Sequence, residues 1–404
     1  MDQKVKLPKL DIDLSDPGAI PEEAIESAVE IMRSGRLFRY GEYGSDGNHA
    51  ALLEEEFAAY IGSRYASAVN SGGSALFIGL KASGVAHGDQ VLVNAFTLAP
   101  VPGAINHAGA TPVFVEINEN YHVDIEDLAR KAKASGAKYF MMSYMRGHVP
   151  DMDEVMEVVR EHGLIMIEDC AHTLGADWDG TPTGRFGAVA GFSGQTFKHM
   201  NSGEGGLIAT DDEDIAAKAV LYSGSYMLYA QHTARPPMEV FERHKYDIPN
   251  CSMRMTALAA ALLRPQLGLL EERARQWNRL YGELCRRLVA IRNIRIPERV
   301  DREHYVASSL QFSLENMDAP EISRFIDLCE EAGVPIKWFG RIEPRGFTST
   351  YADWGYAGGR QEMPQTRAVL SGLCDMRIPL ALTSEHCDRI AETVEQALKI
   401  ATAG

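Results

Sequence analysis

The 404-residue chain has no run approaching the ~20 consecutive apolar residues that a membrane-spanning helix requires, and its opening, MDQKVKLPKLDIDLSD, lacks the apolar core of a secretion signal. Both absences point to a cytoplasmic protein. Basic residues are in deficit, 40 Lys and Arg against 56 Asp and Glu. The resulting net charge of −16 repels phosphate backbones and anionic lipid, which argues against nucleic-acid and membrane-surface roles. The six cysteines (Cys170, Cys251, Cys285, Cys329, Cys374, Cys387) include no C-x-x-C pair and the 12 histidines form no H-E-x-x-H, so neither a disulfide frame nor a metal site is expected. Walker loops, dinucleotide fingerprints, internal repeats and low-complexity tracts are missing too. What is present is an ordinary globular composition, 45% hydrophobic and 24% charged, long enough for two to three domains at about 100–200 residues each.

Between residues 65 and 210, short apolar runs alternate with helix-length amphipathic segments. The runs are 66–70, 91–95, 112–116, 138–143, 164–168, 188–193 and 206–210. Such alternation predicts an α/β fold with a mostly parallel sheet covered on both faces. The last two intervals lack helical period and are rich in Gly, Ser and Thr, which marks them as the loops carrying chemistry. Residues 21–35 and 50–61 read as helices joined by a polar turn-rich segment, 41–48. Residues 255–291 read as a long helical stretch bent at Pro265, where a backbone donor is missing. A smaller α+β module follows, with strand-like 305–312, a helix at 319–332, a short run at 334–339, a loop rich in Gly and Arg, and a closing helix at 384–401. The expected divisions are therefore 1–254, 255–291 and 292–404.

Three motifs stand out. Asn70-Ser71-Gly72-Gly73-Ser74 follows a strand and opens a helix, so its free amides and small side chains form either an anion cradle or simply a tight turn. Glu168-Asp169-Cys170-Ala171-His172 places carboxylates at the carboxyl end of a strand, where ligands collect in open α/β sheets, although a helix cap has the same look. Lys198 lies in the charge-poor stretch Phe192–Gly206, where desolvation would make its amine a nucleophile and exposure would leave it a surface charge. Pyridoxal 5′-phosphate requires these partners together: an anion site, an acid for the pyridinium nitrogen and an amine.

Across almost its whole length the sequence resembles the DegT/StrS group of fold-type-I pyridoxal-phosphate aminotransferases. The resemblance is carried by Ser71-Gly72-Gly73-Ser74-Ala75-Leu76, Ala108-Gly109-Ala110-Thr111-Pro112-Val113-Phe114, His162-Gly163-Leu164 with Glu168-Asp169, Phe192-Ser193 with Lys198, Gly203-Glu204-Gly205-Gly206 and Arg254-Met255-Thr256. It implies a seven-stranded mostly parallel sheet with helices on both faces and a smaller C-terminal α+β domain. It also implies Lys198 as the Schiff-base lysine and proton carrier, Asp169 on the pyridinium, and Gly73, Ser74 and Ser193 on the phosphate. His172 would sit near the ring oxygen, and Arg254 would reach the active site of a second subunit in a homodimer with shared sites. The implied reaction moves nitrogen from glutamate or glutamine to a keto sugar or keto cyclitol. A dehydratase of the same fold, built with histidine for the lysine, would need His199 in place of Lys198, and a non-catalytic pyridoxal-phosphate-binding regulator is a further alternative. Leu98 stands where relatives carry an aromatic residue over the ring, with Phe96 nearby, and Ser252 replaces an asparagine close to Asn250. The acceptor pocket is expected beside Trp338 and Phe339, with Arg341, Arg39 and Tyr40 as polar partners.

Overall fold

The computed structural model describes residues 7–41, 48–341, 343 and 350–403. Its main sheet has seven strands in the spatial order Tyr65–Val69, Gly206–Thr210, Val189–Ser193, Ile165–Asp169, Tyr139–Ser143, Gln90–Asn94, Thr111–Val115. Six run parallel, and Gly206–Thr210 is antiparallel to both of its neighbours. Each expected run is one of these strands, shifted by at most about a residue, because a strand in a doubly covered sheet must be apolar at nearly every position.

Adjacent residues feed opposite cores. Leu92, Phe140 and Met142 belong to the core under helices His49–Ile61, Ile125–Ser135 and Met152–Glu161. Val91, Val93, Tyr139 and Met141 belong to the core under Gly72–Ala82, Pro100–His107 and Glu213–Ser223. The period-two geometry of a strand produces this division. Aspartates cap three of these helices: the side chains of Asp124, Asp151 and Asp212 accept from first-turn amides.

The stretch 255–291 is two helices, Ala257–Leu267 and Leu270–Leu288. The chain turns at Gly268–Leu269 and not at Pro265, which lies within the last turn of the first helix and removes only one amide donor there. Beyond it, a four-stranded antiparallel sheet has the order Ile294–Arg295, Ser309–Leu314, Leu373–Arg377, Lys337–Trp338, and Ala319–Glu331 and Ser384–Ala401 are the helices of this part. The strand expected at 305–312 begins later because Asn278 takes the backbone there, donating to Tyr305 O at 2.6 Å and accepting from Ala307 N at 3.0 Å. The run at 334–339 is a strand only at Lys337–Trp338. Helices Glu213–Ser223, Met238–His244 and Pro364–Gly372 had no counterpart in the sequence reading. Most of the polar segment 41–48 and most of the loop after Phe339 lie outside the described residues. Among the described residues no helix is long and apolar enough to cross a membrane, and no group of His, Cys, Asp and Glu has the arrangement of a metal site.

Candidate active site

In the parallel part of the sheet every strand ends at the same edge, and the chemistry-bearing residues follow those ends. Asp169 is the last residue of Ile165–Asp169 and Ser143 the last of Tyr139–Ser143, paired in register. Ser193 ends the next strand and leads into the turn that carries Lys198.

Lys198 Nζ lies 2.8 Å from His172 Nε2. Burial, and then the nearby Arg146 guanidinium, lower the Lys198 amine to about 7, with Asp169 opposing. Burial and the same lysine hold His172 well below its ordinary value, so the imidazole is neutral and its Nε2 accepts from the amine. Asp169 is 5% exposed. Burial raises its carboxyl above the usual range, while a hydrogen bond from Ser143 and the charge of Lys198 pull it back. Ser143 Oγ donates to Asp169 Oδ2 at 2.7 Å and receives the Thr97 hydroxyl at 2.7 Å; Asn94 Nδ2 donates to Ser143 O at 3.1 Å. This is a relay fixed by three neighbouring strand ends.

The Asn70–Ser74 turn lies against the same edge. Ser71 Oγ accepts from Ser74 N at 3.0 Å and caps helix Gly72–Ala82, while Ser74 Oγ donates to Asn70 Oδ1 at 2.6 Å. A Cβ on Gly72 would stand 2.8 Å from Ser193 Cβ, so only glycine lets the helix start this close to the strand that precedes Lys198. First-turn amides, which have no partner within the helix, therefore converge with the small side chains of Ser74 and Ser193. The arrangement fits a phosphate group, beside an amine and a strand-end carboxylate that match the rest of a pyridoxal ring.

Arg254 is tied by its backbone to the strand that leads into the Asn70–Ser74 turn, bridging Val69 while Met253 O accepts from Asn70 N at 2.9 Å, but its side chain has other partners. Its Nη1 donates to Gly224 O at 2.9 Å, and its guanidinium stacks over Phe38 at 5.7 Å and Tyr226 at 5.1 Å. Ser252, at φ 56, has both its amide and its hydroxyl directed at Asn250 Oδ1. His199 is 3% exposed, with its ring 5.2 Å from that of Trp277 and its Nε2 3.3 Å from Ser308 Oγ, two residues that line the cavity at Lys198. Phe96 is 1% exposed and packs edge-on against Phe339, so it belongs to the core. Leu98 is partly buried beside that same core.

Among the described residues, Trp338, Phe339, Arg39 and Tyr40 do not surround an open acceptor pocket. Trp338 and Phe339 are buried, with Trp338 Nε1 donating to Ser371 O. Arg39 is wholly buried in a bidentate pair with Glu54, and Tyr40 is bonded to His232. The cavity at Lys198 is lined instead by His172, Phe197, Arg146, Ser309 and Arg377. Arg146, Ser143 and Arg377 escaped sequence reasoning; the one local clue was Ser143 at the end of an apolar run, since the others gain meaning only through contacts far along the chain.

Fold and site together define a fold-type-I pyridoxal-phosphate enzyme of α/β architecture, with pyridoxal 5′-phosphate as its cofactor. Residues 19–395 match the model of the DegT/DnrJ/EryC1/StrS aminotransferase family, and the chain belongs to that family. It is 30% identical over 313 residues to a 3-amino-5-hydroxybenzoate synthase of Amycolatopsis mediterranei, covering 76% of each chain. It is 33% identical over 264 residues to the spore coat polysaccharide biosynthesis protein SpsC of Bacillus subtilis, covering 65% of this chain and just under two thirds, 66%, of that protein. The crystal structure of a 3-amino-5-hydroxybenzoic acid synthase superposes with a TM-score of 0.81 at 24% identity, covering 98% of this chain and 100% of that one.

Proposed function

We propose that the protein is a pyridoxal-phosphate-dependent aminotransferase that moves an amino group from glutamate or glutamine to a keto sugar or keto cyclitol. The observation that carries this reading is the buried Lys198 amine, lowered to about 7 and set beside the strand-end carboxylate Asp169. Bound pyridoxal phosphate supplies an electrophilic carbonyl and an electron sink. Lys198 supplies the amine that attaches the cofactor and then carries the proton at the substrate Cα, a task for which a near-neutral amine is suited. His172 orients that amine by accepting its N–H. Asp169, held by Ser143, pairs with the ring nitrogen, and Gly73, Ser74 and Ser193 hold the phosphate.

Arg254 completes the neighbouring site in a homodimer. Leu37, Phe38, Tyr226 and Met227 are 45%, 47%, 57% and 84% exposed, and two of them form the aromatic sandwich around Arg254; an apolar surface of this kind needs a partner. The dehydratase alternative loses ground because the amine beside Asp169 is that of Lys198, while His199, the histidine it would use, is engaged with Ser308 Oγ and the Trp277 ring. The cytoplasm and the division at 254 and 291 complete this reading.

The test is to load the enzyme in its pyridoxamine form and offer keto cyclitols, keto sugars, nucleotide-linked keto sugars, aliphatic aldehydes and simple 2-oxo acids. Return of the visible cofactor band is followed. Return with the polyol ketones is expected; return only with aldehydes or 2-oxo acids overturns the acceptor class.

A further inference from the structure

The small sheet turns a charged face toward Lys198. Lys337 pairs across the strands with Asp375, and so does Gln311, which places their side chains on one face; Arg377, two residues after Asp375, shares it. Asp375 is fully engaged: Oδ1 accepts Gln311 Nε2 at 2.7 Å, and Oδ2 faces Arg146 Nη2 at 2.8 Å. Three cations, Arg146, Lys337 and Arg377, thus gather around one carboxylate.

Asp16 lines the cavity at Lys198, but among the described residues no ion pair joins it to these cations. Among the described residues neither Arg377 nor Lys337 has a carboxylate in ion-pair reach: Arg377 lies 3.6 Å over the Phe197 ring and Lys337 4.5 Å over that of Phe339. Arg146 keeps a buried Nε without a hydrogen-bond partner. It also adopts φ 58, a conformation that side chains other than glycine's rarely take and that tends to accompany a functional demand. Arg146 and Arg377 line the same cavity as Lys198 and His172. Mutual repulsion is visible in the amines, since burial and then Arg146 lower Lys337 to about 8. In a chain of net charge −16, a half-buried cluster of unmatched cations beside the reactive amine is a feature that an anion would relieve.

We infer that Arg146 and Arg377, backed by Lys337, bind a carboxylate of the substrate on the small-sheet side of the Lys198 amine. The inference rests on the transaminase reading, and two sources share the chemistry: the amino-acid donor, or a keto acceptor that itself carries an acid group. A planar guanidinium pair suits the two oxygens of a carboxylate better than the hydroxyl rim of an uncharged polyol.

The experiment titrates the holoenzyme with unreactive glutarate and cyclohexanecarboxylate, and with uncharged glutaramide, by calorimetry. Arg377→Gln, Arg377→Lys and Lys337→Met are compared with the parent after each is shown to retain cofactor and its unfolding midpoint. At least tenfold weaker carboxylate binding in Arg377→Gln, partial recovery in Arg377→Lys, a smaller loss in Lys337→Met and no change for glutaramide are expected. Equal carboxylate affinity in all four proteins overturns the inference. The two half-reactions then identify the source: a raised KM confined to glutamate assigns the donor, and one confined to an acidic keto ring assigns the acceptor. Should the holoenzyme transfer no amine to any ketone while carboxylate binding still depends on Arg377, the transaminase reading falls and the anion site stands.

Discussion

Lys198 Nζ sits 2.8 Å from His172 Nε2, an amine lowered to about 7 by burial and Arg146 beside an imidazole lowered by burial and by that same lysine. Two bases in contact inside a protein cannot both hold extra protons. In the cofactor-free protein, the rate of capture of pyridoxal phosphate should therefore rise with pH to a plateau above about 7, not near the 10.5 of an exposed lysine. The sign is that of a depressed amine: below the midpoint the ammonium has no lone pair, above it the nucleophile is fully formed. Stopped-flow reconstitution across pH 5.5–9.5, in steps of about half a unit, measures the midpoint. A midpoint above about 9 would place Lys198 in solvent.

Borohydride reduction of the yellow holoenzyme should fix the cofactor on Lys198 alone, read by peptide mapping. Lys198→Ala should bind the cofactor only reversibly. Label on another lysine would remove the amine from the cavity that His172, Arg146 and Arg377 line.

Replacing Asp169 by Ala should leave the cofactor bound by its phosphate cradle and slow the donor half-reaction by about 10²–10⁴-fold, the range for loss of an essential acid–base partner. Ser143→Ala should slow it by about tenfold, because a hydrogen bond to a charged group is worth ~1.5 kcal/mol or more. Single-turnover kinetics with glutamate separate the two. Normal turnover in Asp169→Ala would reduce that residue to a strand-end cap.

Much of this was legible before any coordinates. The sheet was readable because a strand buried on both faces must be apolar throughout, and Val91–Leu92–Val93 already supplies two cores from three residues. The Ser71–Ser74 turn, Asp169 and Lys198 were readable because strand ends collect chemistry. Arg39 and Tyr40 were expected as polar partners of the acceptor pocket, and both are buried. Nothing local reveals that Arg39 is buried, since its partners, the Glu54 carboxylate and Ala68 O, come from a later helix and from the strand after it. Arg377 was hidden for the converse reason: it follows an apolar run in a strand, and only the packing of the small sheet against the lysine turn gives it a role.

A mixture of Lys198→Ala and Arg254→Ala chains should regain activity after subunit exchange, since a heterodimer restores one site with both residues. Sedimentation should show a dimer, and Phe38→Asp with Tyr226→Asp should shift it toward monomer by charging the apolar surface around Arg254. No recovery despite verified exchange would mean that Arg254 serves its own chain.

The last prediction concerns stability at acid pH. Glu54 is wholly buried, and although burial pushes its carboxyl upward, the charge of Arg39 and the hydrogen bonds from His232 and Arg39 outweigh this and hold it down at about 2, with Ala68 N donating at 2.7 Å. His232 is held neutral by burial, and its network has Nδ1–H donate to Glu54 Oε2 at 2.9 Å while Nε2 accepts from the Tyr40 hydroxyl at 2.7 Å. In the unfolded chain the carboxyl returns to about 4.5. A folded value below the unfolded one means that the pair's contribution is complete above about 4.5 and drains away as pH falls toward 2. Glu54→Gln should accordingly destabilise by about 3–5 kcal/mol at neutral pH, because it strands the Arg39 guanidinium without its counter-charge. The deficit relative to the parent should shrink as pH falls from 4.5 to 2, where the parent loses the same charge. The double variant Arg39→Met/Glu54→Leu should recover much of the loss, since burying neither charge is easier than burying one. Urea unfolding at pH 7, and at intervals down to the lowest pH at which the parent stays folded, measures all three. A pH-independent difference between parent and Glu54→Gln would show that packing, and not the ion pair, is what Glu54 provides.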